Sequence, residues 1–579
     1  MKKKIKVMLA TEGTFPHNEG GVSTWCDMLV KNIPEVEYLV YSVVMNPFIP
    51  QKFELPEGCK LVSVPLWGTD EPFENLKTPF SQVYRAKNNT VDDVIRTEFI
   101  PVFSEIISEI VAIEKNPIRF GYLLLEMYNY FKKYDYKDTF KSEITWDTFT
   151  DIILSKANEK RNKLSQPPVF SMIQSLGWIY RFFTILCTPV PKVDLTHSAA
   201  AAFCGIPCVL GKLIYNTPYI LTEHGVYLRE QYLSLSKRGY DSYLNTFFIR
   251  MISSIVKLNY AFADQISPVC SYNTRWETKF GVLPRKIKVI YNGVDKSTFY
   301  PRESPKNDSH LRVVTIARVD PIKDLITLIK AAVIIKEQIK NVSFHVYGSI
   351  TIKEYYQECL AFVKESGLEG TFIFEGNTND TPAAYASGDV IVLSSISEAF
   401  PYSIVEAMMM GRPIVSTDVG GVSEALADTG LLVIPRRHQE LAEAVITLLH
   451  DEKLRERLGM KGRERALKLF DVNSLLESYY NSYIELSERT QEQTNEIDRM
   501  RKQKILAEKG YVMINMGNWL EGINHLRAAI KEHPKSLAVP LLLTIISDAY
   551  KNLGETDASE NELERAMFLA QISNQTKTA

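Results

Sequence analysis

The stretch 390-VIVLSSISEAFPYSIVEAMMMGRPIVST-417 decides the fold. Residues 390–393 are apolar and mostly β-branched, which predicts a short buried strand. A loop over 394–401 follows. A helix then starts near Tyr402 and runs through 404-IVEAMMMG-411, and a second apolar strand covers 413–417. Strand, helix and strand joined by short loops form a βαβ unit, the building block of a parallel sheet. The unit also carries two carboxylates eight positions apart, Glu398 before the helix and Glu406 inside it.

The same alternation extends on both sides. Strands are predicted at 312–316, 342–347, 371–375 and 430–434, with helical patterns between them. This describes a doubly wound domain of about 160 residues. The first half opens similarly, with a strand over 5–10, a loop ending at Gly20-Gly21, a helix from about Val22 and a strand over 37–43. Further strands are read at 194–197, 219–222 and 265–269, and 287-IKVIYNGVD-295 reads as a strand followed by a turn. Helices are read over 199–213 and 246–261. The expected fold class is therefore α/β: two Rossmann-like domains facing a cleft, with ligands at the carboxyl ends of the strands.

From about 65 to 191 the pattern breaks into charged, aromatic-rich helical segments such as 120-FGYLLLEMYNYFKKY-134. They read as a helical insertion in the first domain, with the aromatic stripes as packing surface. The expected domains are 1–298, the insertion included, and 299–471, with 301-PRESPKNDS-309 as linker. A crossover helix and charged linker over 472–502 and helical repeats over 503–573 complete the chain. In the repeats Gly517, Leu526 and Ala529 recur as Gly554, Leu563 and Ala566. That spacing resembles tetratricopeptide units of about 34 residues, and two units are fewer than a free-standing array needs. They are expected to pack on the enzyme or on a partner. A helical hairpin with no binding role is the alternative.

Bulk properties limit the function. The chain has 579 residues, enough for about three to five folding units. Its formal charge is −2, which gives no basis for a nucleic-acid partner or a membrane surface. The seven cysteines are scattered and their only close pair is 204-CGIPC-208, so buried reduced thiols are expected rather than a zinc site. The start MKKKIKVMLATEG has too short an apolar run for a signal peptide and reads as a first strand. The apolar stretch 177-GWIYRFFTILCTPVP-191 contains Arg181 and falls short of the roughly 20 residues that span a bilayer. A cytoplasmic protein is expected.

The chemistry is expected where strands end. The helix from Tyr402 presents unpaired backbone N–H groups and the positive end of its dipole, a setting suited to phosphate. Glu406, one turn in, can accept bonds from two vicinal hydroxyls such as those of a ribose. Glu398, just before the helix, lies where a sugar bonded to that phosphate would stand. Either carboxylate alone would read as a complement to the dipole. The motif 317-ARVDPIKD-324 places Arg318 and Lys323 at the end of a neighbouring strand, where a guanidinium and an ammonium can hold a leaving diphosphate. Gly20 and Gly21 allow backbone amides to approach a ligand, without the G-x-G-x-x-G spacing of a dinucleotide fingerprint. In 222-TEHGVYLRE-230, His224 follows a strand of the first domain and is aimed at the cleft.

In that order, G-G, T-E-H-G, A-R-x-x-x-x-K-D, S-E-x-F-P-x-x-x-x-E-A-M and 418-DVGGVSE-424 resemble family-4 glycosyltransferases of GT-B fold. The opening T-E-G-T-F-P-x-x-x-G-G-V-S-x-W and T-E-H-G-V-Y resemble the PelF-type glycosyltransferases of exopolysaccharide operons, over roughly residues 1–485. The resemblance implies retaining transfer from a nucleotide-diphospho-sugar, UDP-linked, to a glycan or other acceptor, with no cofactor and no required metal. It implies that Glu398 contacts the donor sugar, that Glu406 holds the ribose, and that Arg318 and Lys323 hold the diphosphate. Gly21 and His224 complete the donor site, and Gly20, Phe400, Pro401, Tyr402 and Ser403 belong to the donor-binding motifs. Ala399 and Pro401 stand where many relatives have glycines. Two other readings stay open: a GT-B nucleotide-sugar epimerase, and an adaptor whose helical tail recruits a partner such as a membrane-bound synthase.

Overall fold

Two six-stranded sheets organise the computed structural model, which describes residues 4–303 and 310–575. The first sheet contains β1 (Ile5–Glu12), β2 (Val36–Val44), β3 (Lys60–Pro65), β4 (Leu195–Ser198), β5 (Tyr219–Glu223) and β6 (Gln265–Pro268). The second contains β7 (Leu311–Ile316), β8 (Val342–Tyr347), β9 (Phe372–Gly376), β10 (Val390–Leu393), β11 (Ile414–Thr417) and β12 (Leu431–Val433).

The strand orders are β3-β2-β1-β4-β5-β6 and β12-β11-β10-β7-β8-β9. The paired strands are parallel throughout, so both sheets have the doubly wound order. Val7–Ala10 of β1 and Val390–Leu393 of β10 are buried, as expected of strands covered by helices on both faces. The order reverses between β1 and β4 in one sheet and between β7 and β10 in the other. These two reversal points set where ligands can enter.

Two strand readings change. Residues 60–65 form an edge strand that their short run did not reveal. Residues 287–295 form no strand. Lys288 N and Ile290 N still bond to Ile266 O and Pro268 O of β6, and the chain then leaves to become an interlobe connection. There Val294 N donates to Phe470 O and Val472 N donates to Val294 O. The two crossings between lobes thus run side by side. Of the linker read at 301–309, residues 304–309 lie outside the described residues.

Between β3 and β4 the chain is helical, including Ile100–Val111, Pro117–Phe131, Glu143–Asn158 and Val169–Phe182. These helices share one core with the helix Ser242–Phe262 of the first lobe. A Cβ on Gly121 would lie 2.5 Å from the Phe262 ring, so the two helices cross where no larger residue fits. Among the described residues, one helical stretch, Val169–Cys187, is long and apolar enough to cross a membrane. Its C-terminal end is built into this lobe: Phe182 stacks on Phe203 at 3.9 Å, and Phe183, Ile185 and Leu186 are buried.

The chain divides into two units at Ile484 and Glu485, with one helix, Val472–Asn515, passing through the boundary. In the second unit, the helices Trp519–Glu532, Val539–Asn552 and Thr556–Gln575 follow it. The repeated glycines Gly517 and Gly554 have φ of 82° and 80°, left-handed turns that end a helix. Leu526, Ala529 and Ala566 are buried, whereas Leu563 is 43% exposed.

Candidate active site

Lys323 and Glu398 meet at the reversal point of the second sheet. Lys323 ends the short turn Pro321–Lys323 after β7, and the Asp320 side chain caps that turn by accepting from Ile322 N at 2.9 Å. The loop after β10 is tied to the same turn: Ile396 N donates to Ile322 O at 2.9 Å, and Ser394 Oγ donates to Lys323 O at 2.8 Å. The ammonium and carboxylate that this brings together lie 2.5 Å apart, with side chains 16% and 11% exposed. Ser395 Oγ adds a 2.6 Å bond to the same carboxylate oxygen.

The loop carrying Glu398 has a glycine floor. Gly420 sits at φ +60°, and a Cβ there would lie 1.7 Å from Glu398 O. Gly421 N donates to Ala399 O at 2.7 Å. The Phe400 ring turns inward, packing 5.4 Å from Tyr291 and 5.2 Å from Phe470, while its carbonyl accepts from Asn292 Nδ2 at 3.2 Å. Phe400 therefore anchors the loop with its ring rather than presenting it. Pro401 is buried and precedes the helix Tyr402–Met409.

On that helix, Glu406 Oε2 accepts from Tyr385 OH at 2.7 Å. The same hydroxyl bonds Ser403 O at 3.1 Å. Burial pushes the Glu406 carboxyl up to about 7, and the tyrosine bond only partly offsets this. Tyr402 lies against the other lobe: a Cβ on Gly21 would be 3.3 Å from its ring. Gly20, at φ +152°, precedes the helix Gly21–Asn32, whose first turn has no side-chain cap.

Arg318 is exposed and makes no hydrogen bond or ion pair among the described residues. The structure does not bring it to Glu398 as it does Lys323. Gly348 accounts for the backbone there, since a Cβ on it would lie 2.1 Å from Ala317 O.

His224 projects from the end of β5 onto Trp25, edge to face at 4.6 Å. Its Nε2 is buried without a partner, and burial lowers the ring to about 3, so the imidazole is neutral. Sequence reading missed what lies behind it. His197, at the end of β4, bonds Thr222 Oγ1 and Tyr483 OH, both at 2.8 Å, and Thr222 in turn bonds Tyr479 OH at 2.9 Å. Tyr479 also packs on Trp25 at 5.5 Å. The start of the helix Val472–Asn515 thus completes the first lobe beneath His224. A lone T-H-S at a strand end gives no hint of partners that lie nearly 300 positions away.

Two contacts between the lobes were also missed. Arg229 Nη1 donates to Ser397 Oγ at 3.2 Å, next to Glu398. Glu424 accepts from Ser271 N at 2.9 Å, Tyr272 N at 3.0 Å and Tyr291 OH at 2.6 Å. It caps the helix Ser271–Lys279 of the opposite lobe.

Residues 296–465 match the family model described as glycosyl transferases group 1, and residues 5–285 match a domain of unknown function, DUF3492. A curated relative, the N,N'-diacetylbacillosaminyl-diphospho-undecaprenol alpha-1,3-N-acetylgalactosaminyltransferase of Campylobacter jejuni, is 28% identical over 247 residues, 40% of this chain and 63% of the relative. The chain spans less than two thirds of the length of that relative and of the two that follow it. Among solved structures, sucrose-phosphate synthase of Thermosynechococcus elongatus aligns with a TM-score of 0.54 at 16% identity, over 83% of this chain and 99% of that one. HepE of Anabaena, in complex with UDP and glucose, aligns with a TM-score of 0.51 at 15% identity, over 83% and 99%. These likenesses and the two facing sheets show the GT-B fold.

Proposed function

From a second lobe that matches the family model of group 1 glycosyl transferases, we propose that this chain is a retaining glycosyltransferase. It takes a sugar from a UDP-linked donor and delivers it to a glycan in exopolysaccharide assembly, in the cytoplasm. The observation that carries the reading is the Lys323–Glu398 pair at the second reversal point, with Glu406 on the helix that follows. Lys323, Glu398 and Glu406 lie in chain order beside a helix start, and in this reading they serve the diphosphate, the sugar and the ribose. A UDP-binding neighbour of the same fold supports the choice of nucleotide.

In this reading the donor's diphosphate competes with Glu398 for Lys323, and the exposed Arg318 closes on it from solvent. The bond between the anomeric carbon and the diphosphate oxygen breaks. The acceptor hydroxyl bonds to that carbon, and its proton passes to the departing diphosphate. Lys323 and Arg318 stabilise the charge that develops there. We assign Gly21 and His224 to the donor's side of the first lobe, where a neutral imidazole can bond a sugar hydroxyl. Contact between Tyr402 and Gly21 helps to exclude water, which would otherwise hydrolyse the donor.

The tail, a tetratricopeptide-like pair of repeats in this reading, docks a partner protein. Leu563, Met567 and Phe568 lie exposed on its last helix.

The test is a panel of UDP- and GDP-sugars, scored by thermal shift and by slow hydrolysis without acceptor. Stabilisation by UDP-sugars that is lost in Lys323→Ala is expected. Absence of any nucleotide-sugar effect on the purified chain would remove the reading.

A further inference from the structure

The first sheet has a reversal point of its own, between β1 and β4, and crevices at such points are where open α/β sheets take ligands. Glu12, the last residue of β1, stands there. Its carboxylate accepts from Cys204 N, in the segment after β4, at 3.1 Å, and from Tyr227 OH, after β5, at 3.4 Å. Burial raises this carboxyl to about 7, against the pull of those bonds. Near neutral pH it can both accept a bond from a hydroxyl and donate one.

A second observation is independent of Glu12. In the loop that follows β1, Thr14 Oγ1 and both ring nitrogens of His17 are buried without a hydrogen-bond partner. His17 is only 6% exposed. At the end of β5, His224 Nε2 is in the same condition. Buried polar atoms nearly always have partners, so such a group at the mouth of a sheet marks where a ligand's hydroxyls stand.

A third observation ties this crevice to the donor loop. The helix Tyr227–Leu235 carries Tyr227, which bonds Glu12, and two residues later Arg229, which bonds Ser397 beside Glu398. Residues 11–21 and 199–205 contain no Lys or Arg, and the cations that reach this region are single and engaged: Lys52 lies 3.7 Å from Glu19, and Arg229 bonds Ser397. A phosphate calls for clustered cations or a guanidinium fork, and this crevice has neither.

We propose that Glu12, Tyr227 and His17 select the second substrate: they hold the hydroxyls of an unphosphorylated sugar ring at the reactive end of the acceptor. This rests on the transferase reading above and adds to it the chemical class of the acceptor.

The test uses the full-length chain and ligand-observed NMR. The probes are methyl glycosides of glucose, galactose, N-acetylglucosamine and N-acetylgalactosamine, and the 6-phosphates of the same sugars, with UDP or GDP at saturation. At least one methyl glycoside should bind. The phosphates should bind about tenfold more weakly, or not at all. Glu12→Gln and Tyr227→Phe should each weaken the glycoside about fivefold or more. Phosphates that bind as well as the glycosides, glycosides that do not bind, or folded variants that both bind like the parent would overturn the proposal. If a variant loses its fold, the comparison between neutral and phosphorylated sugars on the parent chain still decides. Failure of the underlying reading looks different: the parent chain then binds neither UDP nor GDP.

Discussion

Lys323 Nζ lies 2.5 Å from Glu398 Oε1, and the two residues come from loops at the ends of adjacent parallel strands, β7 and β10. Because both side chains are largely buried, each depends on the other to offset the loss of water. Lys323→Ala should lower turnover by roughly 10²–10³-fold, the scale for removing one preorganised donor to developing charge. It should also destabilise the chain by about 1–3 kcal/mol, because Glu398 keeps only Ser395 Oγ. Glu398→Ala in the same background should then cost less than it does alone. Thermal melts of the four proteins measure this, and strict additivity would show that the pair is not coupled.

Gly420→Ala tests the floor of the loop. At φ +60° an alanine is strained, and its Cβ would need space now held by the carbonyl of Glu398. The loop must move, so donor affinity should fall by about tenfold or more while the rest of the second sheet stays folded. Nucleotide titration with circular dichroism as a control reads both. Unchanged affinity would show that the Glu398 backbone is not part of the donor site.

Much of this was legible in the sequence, for physical reasons. The buried parallel strands of both sheets read as short apolar runs, and loops that end such strands are where ligand groups belong. That logic placed Lys323 and Glu398 on facing loops. It could not find β3, whose six residues KLVSVP sit at a sheet edge after a proline-rich loop. Nor could it find His197, Tyr479 and Tyr483, because the bonds of the two tyrosines join segments 257 and 286 positions apart and no local pattern encodes them. Phe400 was readable as part of the donor-binding motif, but only packing against Tyr291 and Phe470 shows that its ring points inward.

Glu424→Ala should loosen the contact between lobes. The carboxylate caps two backbone N–H groups at the start of Ser271–Lys279 and also takes a bond from Tyr291. Loss of a helix cap costs about 1 kcal/mol. Amide exchange at residues 271–274 should accelerate, and the apparent affinity for donor should fall with it. Protection equal to that of the parent chain would show that the cap does not hold the lobes.

Truncation after residue 490 should leave the chemistry intact. Every residue assigned to the donor site, and Tyr479 and Tyr483 behind it, belongs to the first unit, which ends at Ile484. The shortened chain should hydrolyse donor at the parent rate within about twofold, since no group that meets the transition state is removed. It should also lose the capture of any partner that the full-length chain retains. A large loss of hydrolysis would assign the tail a structural role in the first unit.

Stability should fall as pH rises from about 6.5 to 8. Burial raises Glu12 and Glu406 to about 7 from an ordinary value of 4.5. Glu223 and Glu277, side by side in the first lobe, are also raised: Glu223 to about 7 by burial and by the charge of Glu230, and Glu277 to about 9 by burial and by the charge of Glu223. A carboxyl raised in the folded state holds a proton that the unfolded chain has already lost. Its contribution is full below 4.5 and disappears as pH passes the folded value. His197 and His224 act in the opposite sense, because burial lowers both to about 3. They cost stability only as pH falls below about 6.5, where the unfolded rings gain protons. Above that point Lys115, which burial lowers to about 7, opposes the carboxyls, because the unfolded lysine keeps a proton that the folded one has lost, but the four carboxyls outnumber it. Glu277 is raised furthest of the four, to about 9, so it stays protonated across this whole range and should dominate the slope. Glu277→Gln should raise the melting temperature at pH 8, by an amount equivalent to about 1–3 kcal/mol, and leave it nearly unchanged at pH 5. A melting curve with the same pH dependence in the variant and the parent chain would show that the pair is ionised in the folded protein, and that burial does not control it.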